Sequence, residues 1–140
     1  MKKTAILFLL LFILSIFSGH ALGYDETSSE TNFGYNAGAN NTGTGNTFIG
    51  RSAGYTNTDS DYNTFLGYYS GYVNTASDNT FLGYYAGRYN GAGYHNTFVG
   101  KYAGRNNVTS DENTFVGYHA GYSSTAGYNT FVGSQAGEKN

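Results

Sequence analysis

The pentapeptide N-T-F-[ILV]-G begins at Asn46, Asn63, Asn79, Asn96, Asn113 and Asn129, at intervals of 17, 16, 17, 17 and 16 residues. A period of this size commits a chain to a repeat architecture: one unit is too small to bury its own apolar surface and must stack on the next. Aligned on its Asn, the unit reads N-T-F-[ILV]-G-x-x-[AS]-G, followed by seven or eight variable residues. A degenerate copy, NFGYNAG from Asn32 to Gly38, brings the count to seven.

Helical units are excluded because Gly comes twice per unit, as at Gly50 and Gly54, and no window shows apolar residues at i, i+3, i+4 and i+7. The T-F-[ILV] core is β-branched and aromatic, which suits a short strand bounded by Asn and Gly turn residues. The expected fold is therefore all-β: a parallel β-solenoid, or β-roll, of about seven coils of 16 or 17 residues, each with room for about two strands and two turns. Stacking at roughly 4.8 Å makes ladders of identical residues. The Asn ladder of Asn46, Asn63, Asn79, Asn96, Asn113 and Asn129 is expected to bond between coils at a turn. The Gly pairs permit positive φ or close backbone approach.

Composition alone, rich in Gly and Tyr and without Pro or Trp, is compatible with a disordered tract. The register of Phe33, Phe48, Phe65, Phe81, Phe98, Phe115 and Phe131, all read as holding one place in the unit, argues for a folded array instead. Alternation along the strand sends Thr and the aliphatic residue one way and Phe the other. With Thr64 and Leu66 in a thin lumen, Phe lies outside, where a stripe of aromatic rings exceeds what soluble monomers expose. On that assignment Phe48, Phe65, Phe81, Phe98, Phe115 and Phe131 form an oligomer interface. The opposite assignment puts Phe in the lumen and leaves Leu66, Leu82 and Val99 exposed.

The repeats resemble the head repeats of trimeric autotransporter adhesins, the YadA-like β-roll, and more specifically its NTFVG-x-x-AG variant. The resemblance runs from Asn32 to Gly137. It implies a left-handed roll, three chains about a common axis, and service as an extracellular adhesive head or stalk, with the Phe places at the inward or interface side of the strand.

Residues 1–23 stand apart. Lys2 and Lys3 precede an apolar run from Ala5 to Phe17 and then SGHALG, the layout of a secretory signal peptide. The run is shorter than the ~20 residues a spanning helix needs, so no membrane span is expected after cleavage. A polar lead-in occupies 24–31 and the array 32–140. No Cys occurs in the chain, so no disulfide framework contributes. Without Lys2 and Lys3 the remaining cations, Arg51, Arg88, Lys101, Arg105 and Lys139, are single and scattered, which speaks against nucleic acid as a partner.

No catalytic constellation is expected, and no cofactor or metal. His95 and His119 occupy different places in their units without a Cys or acidic residue at ligand spacing, and serines lack a base. Asp61, Asp78, Asp111 and Glu112, just before the repeat Asn, read as a solvated loop edge rather than a Ca²⁺ row. The candidate ligand surface is Tyr68, Tyr69, Tyr84, Tyr85, Tyr102 and Tyr118, at the two places after the first Gly, where amphipathic rings suit a glycan or matrix protein. The expected function is non-enzymatic: a secreted or surface-exposed homo-oligomer, trimeric by the resemblance, for cell adhesion or biofilm contact. An extracellular functional-amyloid matrix protein is the alternative, and an ice-binding solenoid a further one, from Thr58, Thr75, Thr109 and Thr125 in the second half of the unit.

Overall fold

The computed structural model describes residues 30–140; the expected signal peptide at 1–23 and most of the expected lead-in at 24–31 lie outside the described residues. Seven three-residue strands stack in chain order: β1 (Thr31–Phe33), β2 (Thr47–Ile49), β3 (Thr64–Leu66), β4 (Thr80–Leu82), β5 (Thr97–Val99), β6 (Thr114–Val116) and β7 (Thr130–Val132). They form one all-parallel sheet, β1-β2-β3-β4-β5-β6-β7, with each strand separated from the next by one full coil. The fold is a parallel β-solenoid, as the period requires. It has one strand per coil rather than two, because the Gly that follows each strand adopts a φ between 127° and 140°, a region open in practice only to Gly. The rest of each coil consists of turns.

Thr stacks on Thr, Phe on Phe and aliphatic on aliphatic from β2 to β7. The first coil is set one residue differently: Asn32 pairs with Phe48, and Phe33 pairs with Ile49. Phe33 therefore stands outside the Phe ladder, in the aliphatic place, and is exposed. Glu30 takes the place of the ladder Asn, its Oε1 accepting from the Asn46 N–H at 3.2 Å.

The two faces of the strand are the reverse of the lumen assignment made from sequence. Phe48, Phe65, Phe81, Phe98 and Phe115 are 0% exposed within a single chain, and Phe131 packs under Phe115 with ring centroids 5.2 Å apart. The expectation that Phe48, Phe65, Phe81, Phe98, Phe115 and Phe131 form an oligomer interface is thus overturned: these rings fill the lumen and leave no surface for a second subunit. The room for them comes from the opposite wall. A Cβ on Gly71, Gly87 or Gly104 would sit 2.4 Å from the Phe ring of its own coil, and the neighbouring place holds only Ala53, Ser70, Ala86, Ala103 or Ala120, all buried. Rings from Phe65 to Phe115 lie 4.7–4.9 Å apart and within 6° of parallel. Each such burial contributes about 1.5–3 kcal/mol.

The other half of the lumen is polar. Each ladder Asn Oδ1 accepts the N–H of the next ladder Asn: Asn46 from Asn63, Asn63 from Asn79, Asn79 from Asn96, Asn96 from Asn113 and Asn113 from Asn129, at 2.8–3.0 Å. A second amide ladder, which sequence reading missed, runs beside it through Asn41, Asn57, Asn74, Asn90 and Asn107, each Nδ2 donating to the Oδ1 of the coil before at 2.7–3.0 Å. Asn57, Asn74, Asn90 and Asn107 are fully buried. The two ladders are eleven positions apart in every coil. All of the variation between 16 and 17 residues falls in the loop that closes the coil, from the second ladder to the next first ladder.

Candidate binding surface

The turn G-x-x-[AS]-G projects side chains outward at one corner of every coil. The first x holds Arg51, Tyr68, Tyr84, Lys101 and Tyr118; the second holds Ser52, Tyr69, Tyr85, Tyr102 and His119. The carbonyl of the first Gly accepts from the Ala or Ser N–H three residues on, as in Ala86 to Gly83 at 3.2 Å, and the tightness of this turn forces the second x into the left-handed region. Tyr69, Tyr85 and Tyr102 sit there at φ 55°, 59° and 64°. Bulky residues are uncommon at such angles, and the strain collects at functional positions. Asn36, the first coil's occupant, tolerates the same angle at lower cost.

All six tyrosines singled out from sequence meet in one patch. Tyr68 stacks on Tyr84 at 5.4 Å and 7°, and Tyr84 lies 4.1 Å from Tyr85. Tyr85 touches Tyr102 at 5.7 Å, and Tyr102 reaches Tyr118 at 6.5 Å. Tyr68, Tyr84 and Tyr118 are exposed, whereas Tyr69, Tyr85 and Tyr102 are half-buried beneath them. The Tyr84 phenol is pushed up to about 12, chiefly by its side-chain hydrogen bond with Tyr85, then by desolvation and by the neighbouring phenols. Its hydroxyl therefore remains a neutral donor and acceptor at ordinary pH.

The patch is wider than the residues first proposed. The place after the second Gly, which holds Tyr55, Tyr72, Arg88, Arg105 and Tyr122, folds against the same corner, as does Tyr89. Tyr55 stacks on Tyr72 at 5.2 Å, and Arg88 lies 4.4 Å over Tyr85 and 4.8 Å over Tyr89. The signal in the sequence was the recurrence of Tyr or Arg at that place in every one of these coils, but its convergence with the x-x pair depends on the turn.

Comparison with protein-family models, curated proteins and solved structures returned no match. The site is therefore read from its chemistry alone. Stacked aromatic rings with exposed edges and hydroxyls can pack on a partner's apolar faces while satisfying its polar rim.

The remaining candidates fall elsewhere. His95 pairs with Asp78 at 3.7 Å and His119 with Glu138 at 3.1 Å, each across neighbouring coils, so both histidines have acidic partners that linear spacing hid. Asp61 Oδ1 accepts from the Thr44 N–H at 2.7 Å and Asp111 Oδ1 from the Tyr94 N–H at 3.0 Å, which uses these carboxylates to stitch loops together. Among the described residues no group of three or more His, Cys, Asp or Glu is placed to hold a metal ion, and no helix is long and apolar enough to cross a membrane. Thr58, Thr75 and Thr125 are exposed in one row with Gly91 and Val108, and Thr109 is one position out of it. A continuous Thr file lies instead on the sheet's outer face: Thr47, Thr64, Thr80, Thr97, Thr114 and Thr130, beside the aliphatic file.

Proposed function

We propose that this chain is a non-enzymatic, secreted or surface-displayed β-solenoid that acts by presenting a rigid, repeating tyrosine corner for cell adhesion or biofilm contact. The observation that carries this reading is the placement of Tyr69, Tyr85 and Tyr102 at left-handed dihedrals under an exposed row of Tyr68 and Tyr84. Stability alone is better served there by Asn or Gly. A solenoid suits the role because identical coils fix the spacing of a repeated surface over the length of the rod. The export signal expected at 1–23 and the resemblance to adhesin head repeats favour the same role outside the cell.

The test is retention of the purified exported chain on immobilised bacterial exopolysaccharide and on cells. Tyr68→Ser with Tyr84→Ser should weaken retention at least tenfold while the thermal transition stays within a few degrees; equal retention of the variant overturns the reading.

A second reading gains from the outward Thr file. Regularly spaced hydroxyls and methyls on a parallel sheet, from Thr47 to Thr130, form a surface of the kind that can order water and engage ice. Thermal hysteresis in the purified protein, lost on Thr80→Tyr, supports that reading. Freezing without hysteresis removes it.

A further inference from the structure

Four of the five cations among residues 30–140, namely Arg51, Arg88, Lys101 and Arg105, fall on the tyrosine corner. The acids Asp59, Asp61, Asp78, Asp111 and Glu112 lie in the closing loops, and Glu138 alone stands at the corner, in the last coil, paired with His119. On a chain of net negative charge, this segregation makes one corner locally basic. Arg88 and Arg105 occupy the same place on consecutive coils, so like charges stand one above the other, with Tyr85 and Tyr89 within 6 Å of both guanidinium carbons. Neither arginine has an ion-pair partner among the described residues. The Nε of each is buried without a hydrogen-bond acceptor; among the described residues Arg88 makes no side-chain hydrogen bond, while Arg105 Nη1 donates to the Tyr122 hydroxyl and the Asn106 Oδ1. An unmet buried donor destabilises, and more so when it is charged. Cation–π contacts offset part of that cost, and both Nη groups of Arg88 together with the Nη2 of Arg105 are left as in-plane donors for a ligand.

From this we infer that Arg88 and Arg105 form an anion subsite within the tyrosine corner, and that its ligand is an acidic polysaccharide, carboxylate- or sulfate-bearing. The fork geometry of guanidinium matches an oxyanion bidentately. The flat Tyr faces beside it suit the C–H face of a sugar ring. Stacked rings at the corner itself advance 5.2–5.4 Å from coil to coil, close to the advance of one glycosyl unit in an extended chain, so successive units can meet successive coils. The subsite deepens the adhesion reading and rests on it, since the tyrosines supply the platform.

The experiment is titration calorimetry of the full exported chain with oligogalacturonate, dextran sulfate and neutral dextran of matched length, and with polyglutamate and single-stranded DNA as polyanions that are not polysaccharides. The wild-type chain is compared with Arg88→Gln and Arg105→Gln, which keep a polar side chain and remove the charge, and with Asp61→Asn on the distant loop as a charge control. The subsite is supported if either acidic probe binds at least tenfold more tightly than neutral dextran, if each arginine variant removes most of that preference, and if Asp61→Asn does not. The stronger acidic probe assigns the anion to carboxylate or sulfate. Binding of neutral and acidic probes alike, unchanged in both arginine variants, overturns the subsite and leaves the tyrosine platform standing. No binding of any probe overturns both. Equal affinity for polyglutamate or for single-stranded DNA overturns the saccharide assignment.

Discussion

Ser124 stands where four neighbouring coils hold Asn57, Asn74, Asn90 and Asn107. Its hydroxyl reaches only the Ala126 carbonyl at 3.3 Å, and the consequence is visible one coil before: Asn107 Oδ1 lacks the amide donor of the next coil and is buried without a partner. In the intact part of the ladder the corresponding oxygen is used, as when Asn74 Nδ2 donates to Asn57 Oδ1 at 3.0 Å and Asn63 Nδ2 donates to Asn57 Oδ1 at 3.1 Å. Ser124→Asn is therefore expected to stabilise the fold by about 1–2 kcal/mol, since it gives the desolvated Asn107 Oδ1 a donor. A rise of several degrees in the thermal midpoint checks this, and a fall counts against it. At this scale the first Asn ladder was legible, because its residues open a constant pentapeptide. The second was not, because its residues are embedded in variable sequence. Their constant eleven-residue offset from the first was the available signal.

A single coil is a wall of Phe facing a wall without side chains. Gly87, at φ 56°, would place a Cβ 2.4 Å from the Phe81 ring, so Gly87→Ala is strained in backbone and in packing and should cost well over 1 kcal/mol. Phe81→Ala should cost about 3–5 kcal/mol through lost burial and a cavity. Because the same ring is involved in both, the double variant is expected to lose less than the sum, by about 1 kcal/mol. Urea unfolding of the four proteins measures the coupling, and strict additivity would show that the Gly does not serve the ring. The face assignment failed at this scale for a definable reason. Alternation states that Phe and Thr point oppositely, but which is inside depends on the wall across the lumen. The Gly and Ala of G-x-x-[AS]-G, spaced to lie opposite the Phe, were the clue that a ring fits there.

Across the whole molecule, the reversal of faces moves the question of assembly to another surface. Leu66 and Leu82 are 44% and 42% exposed, and Phe33 and Val132 continue the outward row at its ends. The argument that an apolar strand face seeks cover now applies to this row and not to the Phe ladder. The proposed homo-oligomer, a trimer, is accordingly expected to close over the aliphatic file. Light scattering on the exported chain should give a discrete oligomer that dissociates in Leu66→Ser with Leu82→Ser, with little change in circular dichroism. A monomeric wild-type chain removes the oligomer proposal. The architecture was legible at this scale because period and strand chemistry suffice for a solenoid, whereas the basic corner was not: its four cations are scattered along the chain and are gathered only by the winding. The confinement of length variation to the closing loop has a consequence for how such a molecule can change over generations. From β2 to β7 every junction stacks like residue on like in one register, so a slipped replication that adds or drops one whole unit of this stretch of the gene still yields a closed rod. The length of the displayed surface can therefore vary between descendants without a new fold having to arise.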